Sequence, residues 1–98
     1  MPQPEQDRPR GQRFALGQIV ATPAALSQLS AEDISTALRR HAGGEWGELD
    51  AHDLNENEIS LQQGFRLLSS YCAVNGTKFW VITEADRSVT TILLPEDY

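Results

Sequence analysis

The sequence predicts an α+β domain, in which helices cover one face of an antiparallel sheet. Residues 65–98 contain three strand-like runs, separated by two turn signals at Asn75-Gly76 and residues 85–88. Helix-start signals lie upstream of these runs, and an apolar run at residues 14–20 precedes them. The predicted order is therefore an N-terminal strand, two to three short helices, and a three-stranded antiparallel meander.

The first twelve residues predict a flexible tail. They contain three prolines and four charges, and no large apolar residue follows Met1, so they have little to bury. Residues 13–98 are predicted to form a single domain, which is a typical size for one core. Its first strand is expected over residues 14–20, with Gly17 marking a bulge or bend.

Three helix starts follow the first strand. Thr22-Pro23 combines an N-cap residue with a proline at the first helical position, which predicts a short helix up to residue 29. Ser30 opens a capping-box pattern, and the following helix is expected to run to residue 41 and to end at Gly43-Gly44. Asp50 predicts a third helix over residues 51–63, terminated by Gly64.

The two turn signals predict the pairing of the C-terminal strands. A two-residue type I′ turn at Asn75-Gly76 places Cys72 opposite Phe79 and Tyr71 opposite Trp80. A four-residue loop at residues 85–88 then places Val81 opposite Ile92. The face predicted to lie under the helices carries Leu68, Cys72, Val74, Phe79, Val81, Ile92 and Leu94. The other face carries Leu67, Tyr71, Lys78, Trp80, Ile82, Thr91 and Leu93.

Composition restricts the partners and the compartment. Fourteen acidic and eight basic residues give a net charge of −6, which disfavours direct binding to nucleic acid and favours a basic protein partner. Cys72 is the single cysteine, so no internal disulfide can form and a reducing, cytoplasmic location is expected. The apolar runs are too short for a membrane span and no signal sequence is apparent, so no membrane association is expected.

An acidic run is the main candidate for a binding surface. Six carboxylates occur between residues 45 and 58, without a Lys or Arg among them. One interpretation is a solvated helix face whose acids interact with the helix dipole. The other is a set of carboxylates that imitates nucleic-acid phosphates and binds a basic groove. With the aromatic residues nearby, the predicted partner-binding residues are Glu45, Trp46, Glu48, Asp50, Asp53, Glu56, Tyr71 and Trp80.

Candidate catalytic or metal-binding residues form no established pattern. The spacing of His41 and His52 matches no metal-ligand pattern, and Ser69-Ser70 has no recognisable triad partner in the sequence. His41 is expected at a helix C-terminus, where a protonated imidazole would face the negative end of the dipole. Cys72 is interpreted as a small apolar filler. We therefore predict a protein that is not an enzyme and that needs no cofactor or metal.

Two resemblances add an expectation about biological context. The segment Phe65-Arg66-Leu67-Leu68, followed by Tyr71, resembles a strand of the RelE/ParE superfamily of small toxins, and the predicted order of elements is similar. Those toxins use basic residues to reach RNA or a gyrase partner. Residues 65–98 contain three basic residues, Arg66, Lys78 and Arg87, so a toxin or a degenerate relative of a toxin-antitoxin system is the alternative function.

The second resemblance covers residues 14–98. The segments LGQIVATPAAL, RHAGGEWGELD and FWVITEADRSVTTILLPEDY resemble a family of small, functionally uncharacterised bacterial proteins of plasmids, phages and other mobile elements. Some members are labelled plasmid-related or restriction-associated. This resemblance implies an inhibitor or regulator of a host defence or nucleic-acid-processing complex, of the anti-CRISPR or anti-restriction type. It supplies no catalytic residues to carry over.

Overall fold

The computed structural model describes residues 11–98. The tail predicted for residues 1–12 therefore lies outside the described residues, apart from Gly11 and Gln12. The described chain has the predicted α+β class. Its elements are β1 (Gln18–Ala21), α1 (Pro23–Gln28), α2 (Ala31–Ala42), α3 (Ala51–Gln63), β2 (Leu67–Cys72), β3 (Lys78–Thr83), β4 (Val89–Leu93) and a 3-10 turn (Pro95–Asp97). Within residues 11–98, no helix combines the length and the apolar character needed to cross a membrane.

The four strands form one mixed sheet in the order β1-β4-β3-β2. The β2–β3 and β3–β4 pairs are antiparallel, as predicted for the meander. Strand β1 joins the same sheet by running parallel to β4, with Gln18 opposite Val89. The sheet is therefore mixed, and the predicted antiparallel arrangement is confirmed for β2, β3 and β4 but does not extend to β1. A parallel neighbour requires a long connection, and here the three helices and two strands supply it.

The helix ends follow the predicted capping residues. The Thr22 hydroxyl accepts the Ala25 N–H at 3.1 Å, and Ser30 and Asp33 form a reciprocal capping box. Asp50 accepts the N–H of Asp53 at 2.8 Å at the start of α3. Gly64 ends α3 in the left-handed conformation, with φ of 80°. These interactions satisfy backbone groups that a helix end leaves unpaired, which is why short local patterns located them.

The hairpin between β2 and β3 differs from the prediction by one residue. The Ala73 oxygen accepts the Gly76 N–H at 2.9 Å, and the Ala73 N–H donates to the Thr77 oxygen at 2.8 Å. Gly76 has φ of 88°, whereas Asn75 is not among the described residues with positive φ. The connection is thus a three-residue loop that ends in a left-handed glycine, and the predicted type I′ turn is wrong.

This one-residue shift exchanges the two faces of β2. Tyr71 pairs with Phe79 and Cys72 with Lys78. Since successive side chains of a strand point to opposite faces, a shift of one residue moves each side chain to the other face. Tyr71 therefore lies under the helices, while Cys72 is exposed and is not the buried filler that was predicted. The β3–β4 register is confirmed, since Val81 lies opposite Ile92. The loop at residues 85–88 also has the predicted length.

Two apolar clusters form the core. The larger lies between the sheet and helices α1 and α2, and it includes Ala25, Leu29, Ala37, Tyr71, Ala73, Phe79, Val81, Ile92 and Leu94. The smaller contains Phe14, Trp46 and Leu67, with Leu16, Leu49 and Leu61 packed against it. The second cluster fixes the loop before α3 and the C-terminal half of that helix against one end of the sheet.

The edge of the sheet formed by β2, called here the closed edge, is covered by polar contacts. The Asn57 side chain accepts the N–H of Leu68 at 3.1 Å and donates to the Leu68 oxygen. Two residues further on, the Ser70 N–H donates to the Trp46 oxygen at 3.0 Å, and the Ser70 oxygen accepts the Glu48 N–H at 2.7 Å. These contacts satisfy the edge groups of both Leu68 and Ser70.

The opposite edge, formed by β1 and called here the open edge, is different. The Gln18 N–H donates to the oxygen of Ser88, just before β4, at 2.9 Å, and the Thr22 N–H donates to the oxygen of Ile92 in β4 at 3.0 Å. Because backbone direction alternates along a strand, the N–H and C=O groups of Ile19 and Ala21 point away from β4. Among residues 11–98, no strand pairs with that side of β1.

Candidate functional site

The carboxylates of the acidic run fall into two groups. Glu58 accepts hydrogen bonds from Arg13 at 3.1 and 3.3 Å and from the Trp46 indole at 2.9 Å, which together lower the pKa of its carboxyl. Glu45 lies 3.6 Å from Arg40. Within residues 11–98, the remaining four form no ion pair with a Lys or Arg, and all four are exposed: Glu48, Asp50, Asp53 and Glu56.

Helix α3 arranges these four carboxylates. Asp50 caps the helix, and Asp53 and Glu56 follow three and six positions later, at a spacing that keeps side chains on neighbouring turns close together. Asn57 on the same helix is buried against β2. One side of α3 thus packs against β2, and the side that carries the carboxylates faces solvent. Glu48 extends this acidic surface into the preceding loop.

Trp46 does not belong to an accessible binding surface, contrary to the prediction. It is buried, its indole N–H donates to Glu58, and its ring stacks on Phe14 with centroids 6.1 Å apart. The large apolar ring stabilises the packing of the loop before α3, and its polar atom has an internal partner. We therefore remove Trp46 from the predicted partner-binding residues.

Tyr71 is also buried, so it does not lie on the accessible face to which it was assigned. Its hydroxyl donates to the Glu45 backbone oxygen, and the Arg40 guanidinium lies 4.8 Å from the centre of its ring. Burial raises the pKa of the Tyr71 phenol to about 12. The cause of the error is the shifted β2 register, which turns this side chain towards the helices.

Trp80 remains on the face of the sheet that points away from the helices. It is half-buried, it lies opposite Leu93, and Tyr98 approaches it edge-on with centroids 5.7 Å apart. The predicted aromatic pair of Tyr71 and Trp80 is therefore replaced by Trp80 and Tyr98. Tyr98 is held by a 2.9 Å hydrogen bond from Arg66, which also lies 3.5 Å from Glu84.

A chain of buried side-chain hydrogen bonds, called here the His41 chain, links His41 to strands β2, β3 and β4. Sequence analysis missed it. One imidazole nitrogen, Nδ1, contacts the Ser69 hydroxyl, and Nε2 lies 2.9 Å from the Thr83 hydroxyl. Thr83 is 2.7 Å from the Thr90 hydroxyl, which donates to the Leu16 oxygen, also at 2.7 Å. All four side chains of this chain are completely buried.

The last acceptor determines the direction of every bond in this chain. Thr90 donates its hydroxyl proton to a carbonyl, so it accepts from Thr83, and Thr83 in turn accepts from His41 Nε2. In a neutral imidazole with its proton on Nε2, Nδ1 accepts the Ser69 proton. Burial, with a smaller contribution from the Arg87 guanidinium, lowers the pKa of His41 to about 3. The imidazole is therefore neutral and carries its proton on Nε2, so the predicted protonated state is wrong, whereas the predicted position at the C-terminal end of a helix is confirmed.

The contact between Ser69 and His41 resembles part of a nucleophile and base pair, but it is enclosed. The Phe14 and Trp46 rings meet the imidazole edge-on at 5.3 and 5.7 Å. Both members of the pair are completely buried, so a substrate cannot reach them in this conformation. Sequence analysis could not find the pair, because its two residues are 28 positions apart and meet only through the fold.

Arg87 has a structural role in the loop before β4. Its guanidinium donates to the Phe65 oxygen at 2.7 Å, to Ser60 at 3.3 Å and to Glu84 at 3.1 Å. It thus binds carbonyl groups at and just after the C-terminal end of α3. A cation is favourable at the C-terminal end of a helix. The Arg87 backbone has a positive φ of 63°.

One group of side chains in the described region has the composition of a cation site. Ligand atoms of Asp50, His52 and Asp53 lie within 4.8 Å of one another, and all three residues are exposed. Asp50 already accepts the Asp53 N–H, and His52 lies 3.4 Å from Asp53. The helix cap accounts for this arrangement without an ion. His41 and His52 do not converge, because the first is buried and the second is exposed.

Comparison of the chain with protein-family models, with curated proteins and with solved structures found no match.

Proposed function

We propose that this protein is a non-enzymatic interaction module. In this proposal, the exposed carboxylates of α3 and the preceding loop bind a basic surface of a nucleic-acid-processing complex. The observation that carries the proposal is the position of Glu48, Asp50, Asp53 and Glu56, which are exposed and have no Lys or Arg partner within residues 11–98. Such a surface attracts a groove that normally binds phosphates.

The internal partners of the basic residues favour this proposal over the alternative of a RelE/ParE-type toxin. Arg13 and Arg40 are engaged by Glu58 and Glu45. Arg66 contacts Glu84, and Arg87 donates to backbone carbonyls. An RNA-binding toxin needs cations that are free to contact phosphates. In the described region, most of the arginines already have internal partners.

The resemblance to proteins of mobile elements suggests which complex is bound. We propose a host defence complex, such as a restriction or CRISPR effector, whose nucleic-acid groove is occupied by the acidic surface. This activity is inhibition by competition, so it requires no catalytic residue. Binding should weaken as salt rises, because each exposed ion pair contributes only about 0.2 to 1 kcal/mol and is screened.

The test uses two triple variants with the same loss of charge. The first carries Glu48→Gln, Asp53→Asn and Glu56→Gln, and it keeps Asp50 as the helix cap. The control carries Glu32→Gln, Asp86→Asn and Glu96→Gln, which lie outside the acidic run and are exposed. Partners captured from bacterial lysate by the parent are identified, and their affinities for all three proteins are measured at low and moderate ionic strength.

The expected result is a loss of affinity of at least about tenfold for the first variant, and a much smaller loss for the control. Equal losses for both would attribute binding to net charge rather than to this surface. Unchanged binding by both variants would contradict the proposal and leave the Trp80 face as the better candidate. Urea unfolding of both variants serves as the check that the fold is intact.

A further inference from the structure

Within residues 11–98, the open edge has one feature that usually protects an edge strand, the short length of β1 at four residues, and it lacks the others. Strand β1 has the sequence Gln18-Ile19-Val20-Ala21, with no charge and no proline. The outward N–H and C=O groups of Ile19 and Ala21 have no strand partner within residues 11–98. Edge strands that must stay unpaired normally carry a lysine, a proline, a bulge or a covering element. The closed edge shows that this fold has the means to cover an edge.

The segment that contains the open edge carries no charged residue of its own, and the nearby Asp97 carboxylate accepts the Thr22 hydroxyl proton at 2.7 Å. Residues 14–31 contain no acidic, basic or histidine side chain, although 22% of the chain is charged. Three large apolar side chains in this region are exposed: Ile19 by 42%, Val20 by 37% and Leu26 by 60%. Depletion of charge is typical of the core of a protein interface. In a chain with a net charge of −6, an uncharged edge is also a place where two copies can approach each other.

The limits of β1 define the register that a new strand could adopt. Gly17 has φ of 66°, which is outside the strand region. Pro23 has no N–H to donate, so a ladder cannot continue through it. The outward-pointing residues between these limits are Ile19 and Ala21. Val20 is midway between Gly17 and Pro23, so an antiparallel strand of the same sequence fits with Val20 at its centre.

We propose that the open edge pairs with the open edge of a second copy of this chain, antiparallel and about a twofold axis at Val20. In this register, Ile19 lies opposite the partner's Ala21, and the two residues exchange both main-chain hydrogen bonds. The symmetry repeats this pair, which gives four hydrogen bonds. A large side chain meets a small one at both pairs, and Val20 lies opposite the partner's Val20.

The result is a continuous eight-stranded sheet with β1 and its copy at the centre. The interface is isologous, so it forms a closed dimer and not a fibre. A ladder of this length buries far less than a standard interface of roughly 1,600 Å², so the dimer is weak and depends on concentration. Because both copies are acidic, the dimer becomes stronger as salt screens their repulsion.

The first test is a charge exchange at the twofold axis. Sedimentation equilibrium is measured for the parent, for Val20→Lys, for Val20→Glu, and for an equal mixture of the two variants. Each variant alone should dimerise at least about tenfold more weakly than the parent, because like charges then face each other at about 4.5 Å between Cα atoms. The mixture should recover the association of the parent. Such recovery requires residue 20 of one copy to face residue 20 of the other.

Three outcomes would overturn this proposal. The first is a parent that remains monomeric at about millimolar concentration in both low and high salt. The second is dimerisation of the Val20→Lys and Val20→Glu variants that is as strong as that of the parent. The third is a dimer that appears only after residues 1–10 are removed, which would make that segment the occupant of the edge. Melting temperatures of the two variants, measured in parallel, verify that the monomer is intact.

A second test traps the register covalently. In a Cys72→Ser background, Val20→Cys places two thiols across a non-hydrogen-bonded pair, whose Cα separation falls within the range for a disulfide. The control is Val74→Cys, at a residue that is 96% exposed and outside the proposed interface. Under mild oxidation, the Val20→Cys protein should form covalent dimers at least about ten times faster than the control. Equal rates would overturn the proposed register.

Salt distinguishes this inference from the proposed function. Self-pairing of β1 strengthens with salt, whereas binding of the acidic surface to a basic partner weakens. The triple charge variant of the acidic run should still dimerise, and the variants of Val20 should still bind the basic partner at low protein concentration. If captured partners instead compete with dimer formation at low salt, the edge is used by a peptide of another protein and the dimer proposal is wrong.

Discussion

The two edges of the sheet differ in how their backbone groups are treated. At the closed edge, an amide side chain and a short segment before α3 satisfy both groups of Leu68 and of Ser70. At the open edge, Ile19 and Ala21 present the same kinds of groups without a strand partner in the described chain. Both edges have the same backbone chemistry, so the difference comes from what the sequence places beside each strand.

The closed edge contributes to the stability of the domain, whereas the open edge is available for association. The closed edge lies next to the small core cluster, where unpaired polar groups would be costly, and the chain supplies partners for them. The open edge belongs to a segment without charged residues and with exposed apolar side chains, and within residues 11–98 its outward backbone groups have no strand partner. We expect substitutions at the closed edge to change the free energy of unfolding, and substitutions at the open edge to change association.

The largest effect is expected for Gly47→Ala at the closed edge. Gly47 has φ of 81°, and an added Cβ would overlap the Ser70 backbone oxygen and the Tyr71 ring. We expect a loss of about 4 kcal/mol or more in the free energy of unfolding, measured by urea denaturation. Gly64→Ala is the matched control, because Gly64 has φ of 80° and no atom near the added Cβ. It should cost about 1 kcal/mol. Equal costs would mean that close approach to β2 contributes nothing.

The next effect is expected for Asn57→Ala. This change removes the buried Asn57 amide and leaves the partly buried N–H and C=O groups of Leu68 without their partner, so it should cost about 2 to 4 kcal/mol. Asn55→Ala, on the exposed side of the same helix, should change the free energy of unfolding by less than about 0.5 kcal/mol. A small loss at Asn57 would show that water replaces the amide and that the edge is not closed by it.

A third effect concerns the His41 chain, which links Ser69 of β2 to Leu16, two residues before β1. The folded protein holds the pKa of His41 near 3, whereas the unfolded chain has a value near 6.5. The unfolded state therefore binds the proton first, and the free energy of unfolding should decrease as pH falls from 6.5 towards 3. The slope is at most about 1.4 kcal/mol per pH unit.

The range between pH 6.5 and 4.5 isolates this histidine, because the lowered pKa values of Asp33 and Glu58 take effect at lower pH. Urea unfolding at several pH values, with His41→Gln as the comparison, measures the contribution. A flat profile for the parent over this range would contradict the assignment of a neutral buried imidazole.

The smallest effect is expected at the open edge itself. Val20→Thr keeps a β-branched side chain at an exposed position and should change the stability of the monomer by less than about 0.5 kcal/mol. The matched substitution Val81→Thr places a hydroxyl at a completely buried position of β3 and should cost about 1 to 3 kcal/mol. If both substitutions are equally costly in thermal unfolding, β1 is more deeply packed than the open edge implies.

Features with local causes were the ones the sequence could predict. Thr22, Ser30, Asp50 and Gly64 act at helix ends through bonds to residues a few positions away, and all four were located correctly. The loop between β3 and β4 was also correct. The Asn75-Gly76 signal is compatible with both a two-residue and a three-residue loop, and the choice between them depends on how Tyr71 packs under the helices.

Features with distant causes were missed. The parallel pairing of β1 with β4 joins residues that no periodic pattern connects, and the His41 chain forms only after three strands are in register. The burial of Trp46 and Tyr71 follows from the same long-range packing. The candidate site was thus only partly predictable: the exposed carboxylates of α3 follow from the helix pattern, whereas the aromatic residues were assigned to the wrong environment.

The parallel pairing of β1 with β4 also affects the order of events during synthesis. Gln18 pairs with Val89, 71 positions later, and at roughly 5 to 20 residues per second a ribosome needs about 4 to 14 s to cover that distance. During this interval β4 has not yet been made, so β1 lacks the strand with which it pairs in the folded domain. The nascent chain must keep an apolar, uncharged strand soluble until its last strand has been made, and docking of β1 should be a late step of folding.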